Sequence, residues 1–341
     1  MNIKKVTIDL ENKARVQTYI KDGKSIDLDI LKPEAHKFYN RLYWNRQDIS
    51  DVIPNCKHRE YIERLKAFLD SIEISDYDSQ VAETYENLIL PIFNKIERNG
   101  LYTNSGYEYS KYNLFTITGR PSNANKGVNY AALNKADGTR EKYISRFNSG
   151  YLLEMDFDAY HIRLIADLIG YPLPSTSVHE YFAKHFYGVK SVTKEEYKQS
   201  KAMSFQVLYG GIPKELESID YFYKTKQYIS SLWDSYYNKG YIQTPVFKRR
   251  LYKKNLTEMN PQKLFNYLIQ AYETERNIQT IQKIESVLEG KESKLILYTY
   301  DAFLFDISDE EIDLKNIIKD KLDFPVKIHT GNNYNDMKLL T

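Results

Sequence analysis

Cysteine is almost missing from this sequence: Cys56 stands alone among 341 residues. A single thiol cannot build a disulfide framework or a cysteine-rich zinc site, so neither organises the fold. Long apolar runs are missing as well. No stretch approaches the roughly 18 apolar residues of a membrane helix, and the opening MNIKKVTIDL lacks the apolar run of a secretion signal. The expected setting is therefore the cytoplasm, with no membrane partner. Net charge is scarce too, since 48 Lys and Arg face 46 Asp and Glu, leaving +2. A nucleic-acid partner has to be argued from local clusters rather than from the total. Repeats and low-complexity linkers are also absent, so boundaries must come from element type.

What is present is ordinary for a globular chain, 42% hydrophobic and 28% charged, enough to bury a core in two or three substructures. Tyrosine is so common, at 31 copies, that any one tyrosine near a candidate site says little. Residues 1–30 alternate as two short strands, KKVTIDL and ARVQTYI, with KDGKS as the turn. Helical patterns are expected at about 34–46, 58–72 and 78–98, the last carrying Val81, Tyr85, Leu88, Ile92 and Ile96 at three- and four-residue steps and ending at Gly100. Residues 101–150 are polar and irregular, with TITGRPSNANKGVN rich in turn formers.

A strand, GYLLEMDFD, then runs directly into a helix, AYHIRLIADLIG, with Asp158 where an N-cap belongs and Asp156 at the strand end. Thr193 and Glu196 have capping-box spacing and open a helix to residue 209, stopped by Gly210 and Gly211. A longer helix starts at Asn260 and Pro261 and reaches about Gly290. LILYTYDAFLFDI follows as two strands joined near Tyr300 and Asp301, and FPVKIHTGNNYNDMK adds a strand and a terminal turn. Strands separated by long helices imply an α+β sheet platform carrying a helical insertion.

Four groups of residues could carry chemistry. Asp301 interrupts apolar strands, where an unmet carboxylate is costly to desolvate. If its strand neighbours that of Asp156, both carboxylates stand at one sheet edge, as a pair of Mg²⁺ ions requires; otherwise they are a turn aspartate and a helix-start aspartate. Tyr197, Lys201, Phe205 and Tyr209 recur at four-residue steps on one helix face. That stripe reads either as a lysine for phosphates with aromatic planes for a base and sugar, or as a core edge. Asn266 and Gln270, one turn apart on an apolar helix, are either minor-groove donors or buried hydrogen-bonders. The run FKRRLYKKN gathers Lys248, Arg249, Arg250, Lys253 and Lys254, a basic cluster fit for DNA or a solvated face.

In chain order these segments resemble the polymerase core of the family A, or polymerase I-type, DNA polymerases of bacteria and phages, over about residues 95–341. TITGRPS is similar to the family's Thr-x-Thr-Gly-Arg-x-Ser segment, MDFDAYHIRLIADLIG to motif A, KAMSFQVLYGG to motif B and YTYDAFLFDI to motif C. NYLIQA is similar to its primer-template helix and TGNNY to its terminal element. The resemblance implies a right-hand polymerase with an antiparallel-sheet palm, helical fingers and a reduced thumb. The divisions it implies are an N-terminal extension with reduced thumb at 1–98, palm at 99–170, fingers at 171–258 and palm again at 259–341.

It implies two Mg²⁺ ions, with Mn²⁺ as a substitute, on Asp156, Asp301 and the Phe157 carbonyl. Lys201 and His179 would contact the triphosphate, Phe205 the incoming sugar, and Tyr209 the templating position. Arg120, Gln270, Asn266 and Asn129 would contact primer-template DNA, with Lys248, Arg249 and Arg250 as further DNA contacts. Three departures stand out. His161 occupies the place of a glutamate that screens the ribose 2′-hydroxyl. Tyr197 replaces an arginine, leaving Lys198 or Lys194 as substitutes for phosphate binding. Tyr300-Asp301-Ala302 replaces His-Asp-Glu, so only two aspartates hold metal.

Asp9 and Glu11 imitate the start of a proofreading exonuclease, but the first hundred residues are too few for one, so a separate exonuclease or processivity factor is an expected partner beside primer-template and dNTPs. The composition and compact layout suggest a phage-like source. The rival readings are a single-subunit RNA polymerase and a non-catalytic nucleic-acid-binding subunit with the same fold.

Overall fold

A computed structural model describes three strands within residues 16–42 and the chain from residue 83 to 340, apart from 115, 124–127, 135 and 254–255. β1 (Val16–Lys21), β2 (Lys24–Ile30) and β3 (Phe38–Leu42) form one antiparallel sheet in that order. Lys21 lies opposite Lys24 where β1 and β2 meet at the expected KDGKS turn, of which residues 22 and 23 lie outside the described residues. Within the range 34–46, where a helix is expected, Phe38–Leu42 is a strand paired with Lys24–Ile30, since ladder hydrogen bonds override a pattern that fits either period; the rest of that range lies outside the described residues. The strand expected at KKVTIDL, Asp9 and Glu11, and the helix expected at 58–72, lie outside the described residues.

A π-helical turn, Tyr85–Ile89, leads into α1 (Leu90–Asn99), which buries Ile92, Phe93 and Ile96 on one face. Gly100 ends it with φ 60°, and a Cβ there would stand 2.9 Å from the Tyr109 ring. The irregular segment that follows holds β4 (Leu101–Thr103) paired with β5 (Gly106–Glu108), and β6 (Tyr112–Asn113) paired with β7 (Ser122–Asn123). β8 (Tyr151–Phe157) then enters the main sheet. Gly150 precedes it because a Cβ would lie 2.5 Å from the Ile307 carbonyl oxygen.

After β8 come four helices, α2 (Tyr160–Leu168), α3 (Val178–Tyr187), α4 (Lys194–Gly210) and α5 (Asp220–Lys239). Thr193 and Glu196 close both halves of the capping box on α4, as their spacing predicts. The hairpin β9 (Tyr241–Gln243) and β10 (Arg250–Tyr252) leads to α6 (Pro261–Val287), capped by the Asn260 side chain. β11 (Lys294–Thr299), β12 (Ala302–Ile307), α7 (Leu314–Lys319), β13 (Val326–Gly331) and β14 (Lys338–Leu339) complete the chain.

The main sheet has five strands in the order β11-β12-β8-β13-β14, all pairs antiparallel. β8 lies at its centre and packs Leu152, Leu153 and Met155 into a core shared with α1, α6 and the β11–β12 hairpin. A second core, from Phe182, Tyr221, Phe222 and Phe265, joins α3, α5 and α6 beside the sheet. Asp306 in β12 is fully buried and accepts from Arg146 Nε at 2.8 Å, the Arg146 amide at 3.0 Å and the Ser145 hydroxyl at 2.6 Å. Arg146 also donates to the carbonyls of Asn99 and Gly100, tying the end of α1 to the sheet. Among the described residues no helix is long and apolar enough to cross a membrane.

Candidate active site

β8 and β12 are direct neighbours, with Asp156 opposite Ala302, so Asp156 and Asp301 end their strands side by side. The Phe157 amide donates to the Asp301 carbonyl at 3.0 Å, closing the ladder at that edge. Asp301 is half of a two-residue turn whose other half, Tyr300, has φ 58°. A bulky residue in the left-handed region is strained by about 1–2 kcal/mol, and such strain persists only where neighbours enforce it. Two neighbours do so here. Asn277, fully buried on α6, donates to the Tyr300 carbonyl at 2.6 Å, and the Arg120 guanidinium lies 3.8 Å over the Tyr300 ring.

Asn277 also joins the two strand ends, since it donates to the Tyr298 hydroxyl at 3.0 Å and accepts from Tyr160 on α2 at 2.7 Å. A second connector is Glu273, one turn earlier on α6 and 1% exposed. Its carboxylate lies 2.9 Å from Arg120 Nε and 3.2 Å from His161 Nε2. Asp301 as a residue is exposed at the turn, yet protein crowds its inner side: burial first, then the Glu273 charge, raises its carboxyl above the ordinary aspartate range, against His161 and Arg120. Burial and the Glu273 charge both disfavour the ionised form of Asp301, and a nearby cation would offset them. Asp156 and Asp301 together supply hard oxygen donors of the kind Mg²⁺ takes. Among the described residues no set of three or more His, Cys, Asp or Glu surrounds a metal position, so the pair stands at two side chains.

Asp158 is not the N-cap of α2. Ala159 takes that place with φ 52°, and the Asp158 side chain is drawn instead to two cations, Lys327 Nζ at 2.6 Å and Arg163 Nη2 at 3.6 Å. On α4, Lys201, Lys198 and Lys194 are exposed, while the Tyr197 ring meets His179 edge-on at 5.8 Å. The side chains of Phe205 and Tyr209 lie outside the described residues. His179 is buried, and its pKa is pushed down to about 4 by burial first and then by Lys201. A neutral imidazole can give a phosphate a hydrogen bond but no charge.

His179 also links stability to pH. Its folded pKa lies below the ordinary 6.5, so the unfolded chain takes up a proton that the folded one refuses. Stability should be unaffected by this group above that value and should fall by about 2 kcal/mol as pH drops towards 4, a figure reduced for partial solvation. Melting curves of wild type and His179→Gln across this range should converge at acid pH; parallel curves would exclude the linkage.

The TITGR segment lies along α6. Thr118 donates to Gln270 Oε1 at 3.4 Å, Gln270 donates to Asn266 Oδ1 at 3.2 Å, and Arg120 joins through Glu273. Asn129 is exposed before a short 3₁₀ turn, Tyr130–Ala132. The basic run separates by role. Arg249 is buried and donates to the Ile117 carbonyl at 2.8 Å, which makes it a brace for the TITGR segment. Lys248 is exposed, Arg250 lies over Tyr241 at 4.7 Å, and Lys254 is outside the described residues. Glu273, Asn277 and Lys327 were not among the expected site residues. Glu273 and Asn277 continue the helix face of Asn266 and Gln270 at three- and four-residue steps, a signal present in the sequence. Lys327 faces Asp156 only through strand register, which no sequence pattern shows.

The central antiparallel sheet, with helices inserted after β8 and before β11, is similar in fold to a solved polymerase domain. Among solved structures the chain matches the POL domain of Pol1 from M. smegmatis in complex with DNA primer-template and dNTP, with a TM-score of 0.56, 18% identity and 84% of this chain covered. The match spans 55% of that chain's length. No family model and no curated protein matches the sequence.

Proposed function

We propose that this chain is a template-directed DNA polymerase that adds deoxyribonucleotides to a primer 3′ end by phosphoryl transfer. The observation that carries the reading is the placement of Asp156 and Asp301 at one edge of neighbouring strands within a polymerase-domain fold. In this reading residues 99–170 and 259–341 form the palm, 171–258 the fingers, and 1–98 a reduced thumb with an extension. Asp156 and Asp301 are the residues that would hold two Mg²⁺ ions, which would supply charge neutralisation and a more acidic primer hydroxyl.

The chain's own residues do the rest. Lys201 holds phosphate as a point charge and His179 adds a neutral donor. His161 stands at the sugar, kept in place by Glu273. Arg120, Gln270 and Asn266 face the primer end, where amide and guanidinium donors meet acceptors common to every base pair. Selection then rests on shape, with α4 closing over a correct pair.

The test is extension of a labelled primer on a DNA template with Mg²⁺, with dNTPs and rNTPs in parallel. Extension with dNTPs alone is expected. Extension with rNTPs instead would point to RNA synthesis, and binding of primer-template without extension to a non-catalytic subunit.

A further inference from the structure

A nucleoside triphosphate brings several negative charges to its site, and α4 meets them with the exposed Lys194, Lys198 and Lys201 but with no charge at Tyr197. Lys201 is exposed, Tyr197 is uncharged, and His179 is neutral near physiological pH. The main sheet holds another cation at the same edge. Lys327 lies directly opposite Asp156 in the β13–β8 ladder, and opposed residues of antiparallel strands project from the same face. Its ammonium is 2.6 Å from Asp158, two residues beyond Asp156, and its side chain is 49% exposed. Asp158 has Arg163 as a second cation at 3.6 Å, so it is not stripped of countercharge when the lysine leaves. Lys327 and Lys201 both act on the buried His179 ring, and Lys327 also feels Tyr197. The lysine therefore lies within electrostatic reach of the α4 face on which Tyr197 and Lys201 stand.

We propose that Lys327 is a phosphate-contacting residue of the nucleotide site, its ammonium moving from Asp158 to an oxygen of an incoming nucleoside triphosphate. The sheet thereby supplies the cation that α4 lacks at Tyr197. This rests on the polymerase reading for the nature of the site, but the binding step can be measured without turnover.

The experiment titrates the protein on primer-template with a non-hydrolysable deoxynucleoside triphosphate analogue and with the monophosphate, alongside single-nucleotide extension and melting temperature. Lys327→Met keeps the stem and removes the charge. It is expected to weaken analogue binding about tenfold or more, the scale of a charge-assisted hydrogen bond, and to leave monophosphate binding unchanged. Lys327→Arg should recover most of the loss. Lys327→Gln, which can still bond Asp158 but carries no charge, should behave like the methionine variant and stands in for it if that variant fails to fold. Analogue binding equal to wild type in the uncharged variants, with or without a lowered melting temperature, would overturn the proposal and leave Lys327 as a partner of Asp158 alone. If wild type binds the analogue, the uncharged variants lose it and no primer is extended, the phosphate site stands and the polymerase reading falls. If wild type neither binds nor extends, both fall.

Discussion

Replacing Asp301 with asparagine should abolish primer extension and at the same time make the metal-free protein more stable. The two effects share a cause. Burial and the Glu273 charge raise the Asp301 carboxyl, so the folded protein binds that proton more tightly than the unfolded chain does. The contribution is lost as pH rises from the ordinary aspartate value through the raised one, and at neutral pH the ionised group works against folding. Asparagine keeps the shape of the turn and removes the charge. Extension should fall more than about a hundredfold, past what the outer partners of a metal ligand contribute. Primer-template affinity should be unchanged. Mg²⁺ should raise the melting temperature of wild type by binding the native state, and raise that of the variant much less. A variant that extends primer at near wild-type rate would remove Asp301 from the reaction.

Asn277→Ala should be the most damaging substitution outside the carboxylates themselves. The amide makes three hydrogen bonds in a fully buried position, to the Tyr300 carbonyl, the Tyr298 hydroxyl and the Tyr160 hydroxyl. Truncation leaves three polar groups without this partner, and a loss of about 3 kcal/mol is expected. It also frees the strained Tyr300 backbone, so the Asp301 turn relaxes and extension should drop by at least about tenfold even where the protein remains folded. Asn277→Asp keeps the acceptor for Tyr160 but not the donors, and should be nearly as harmful. Chemical denaturation and extension rates measured together would test this; a stable variant with normal activity would show that Arg120 alone holds the turn.

The layout of the candidate site is partly legible in the sequence. Asp156 and Asp301 stand out because a carboxylate in an apolar strand needs an explanation, and the capping box of α4 and the Asn260-Pro261 start of α6 follow local rules that tertiary structure does not disturb. The failures were of other kinds. Phe38–Leu42 has apolar residues spaced for a helix or a strand, and pairing with β2 decides between them. Asp158 has the side chain of an N-cap, but Lys327, far along the chain, competes for it. Arg249 reads as one more surface charge in a basic run, and only its bond to Ile117 shows it buried. Glu273 and Asn277 lie on the same face of α6 as Asn266 and Gln270, within the next two turns, so the same periodicity reaches them.

The strand order has a consequence for how the protein reaches this state. β8 carries Asp156 but pairs only with β12 and β13, which come after all the inserted helices. During synthesis it waits with both hydrogen-bonding ladders open, an invitation to pair with other chains. Contacts so distant in sequence close slowly, because the intervening loop must be ordered first. The two aspartates therefore meet late in folding, and expression conditions that slow elongation or supply chaperones should govern the yield of active protein more than its final stability does.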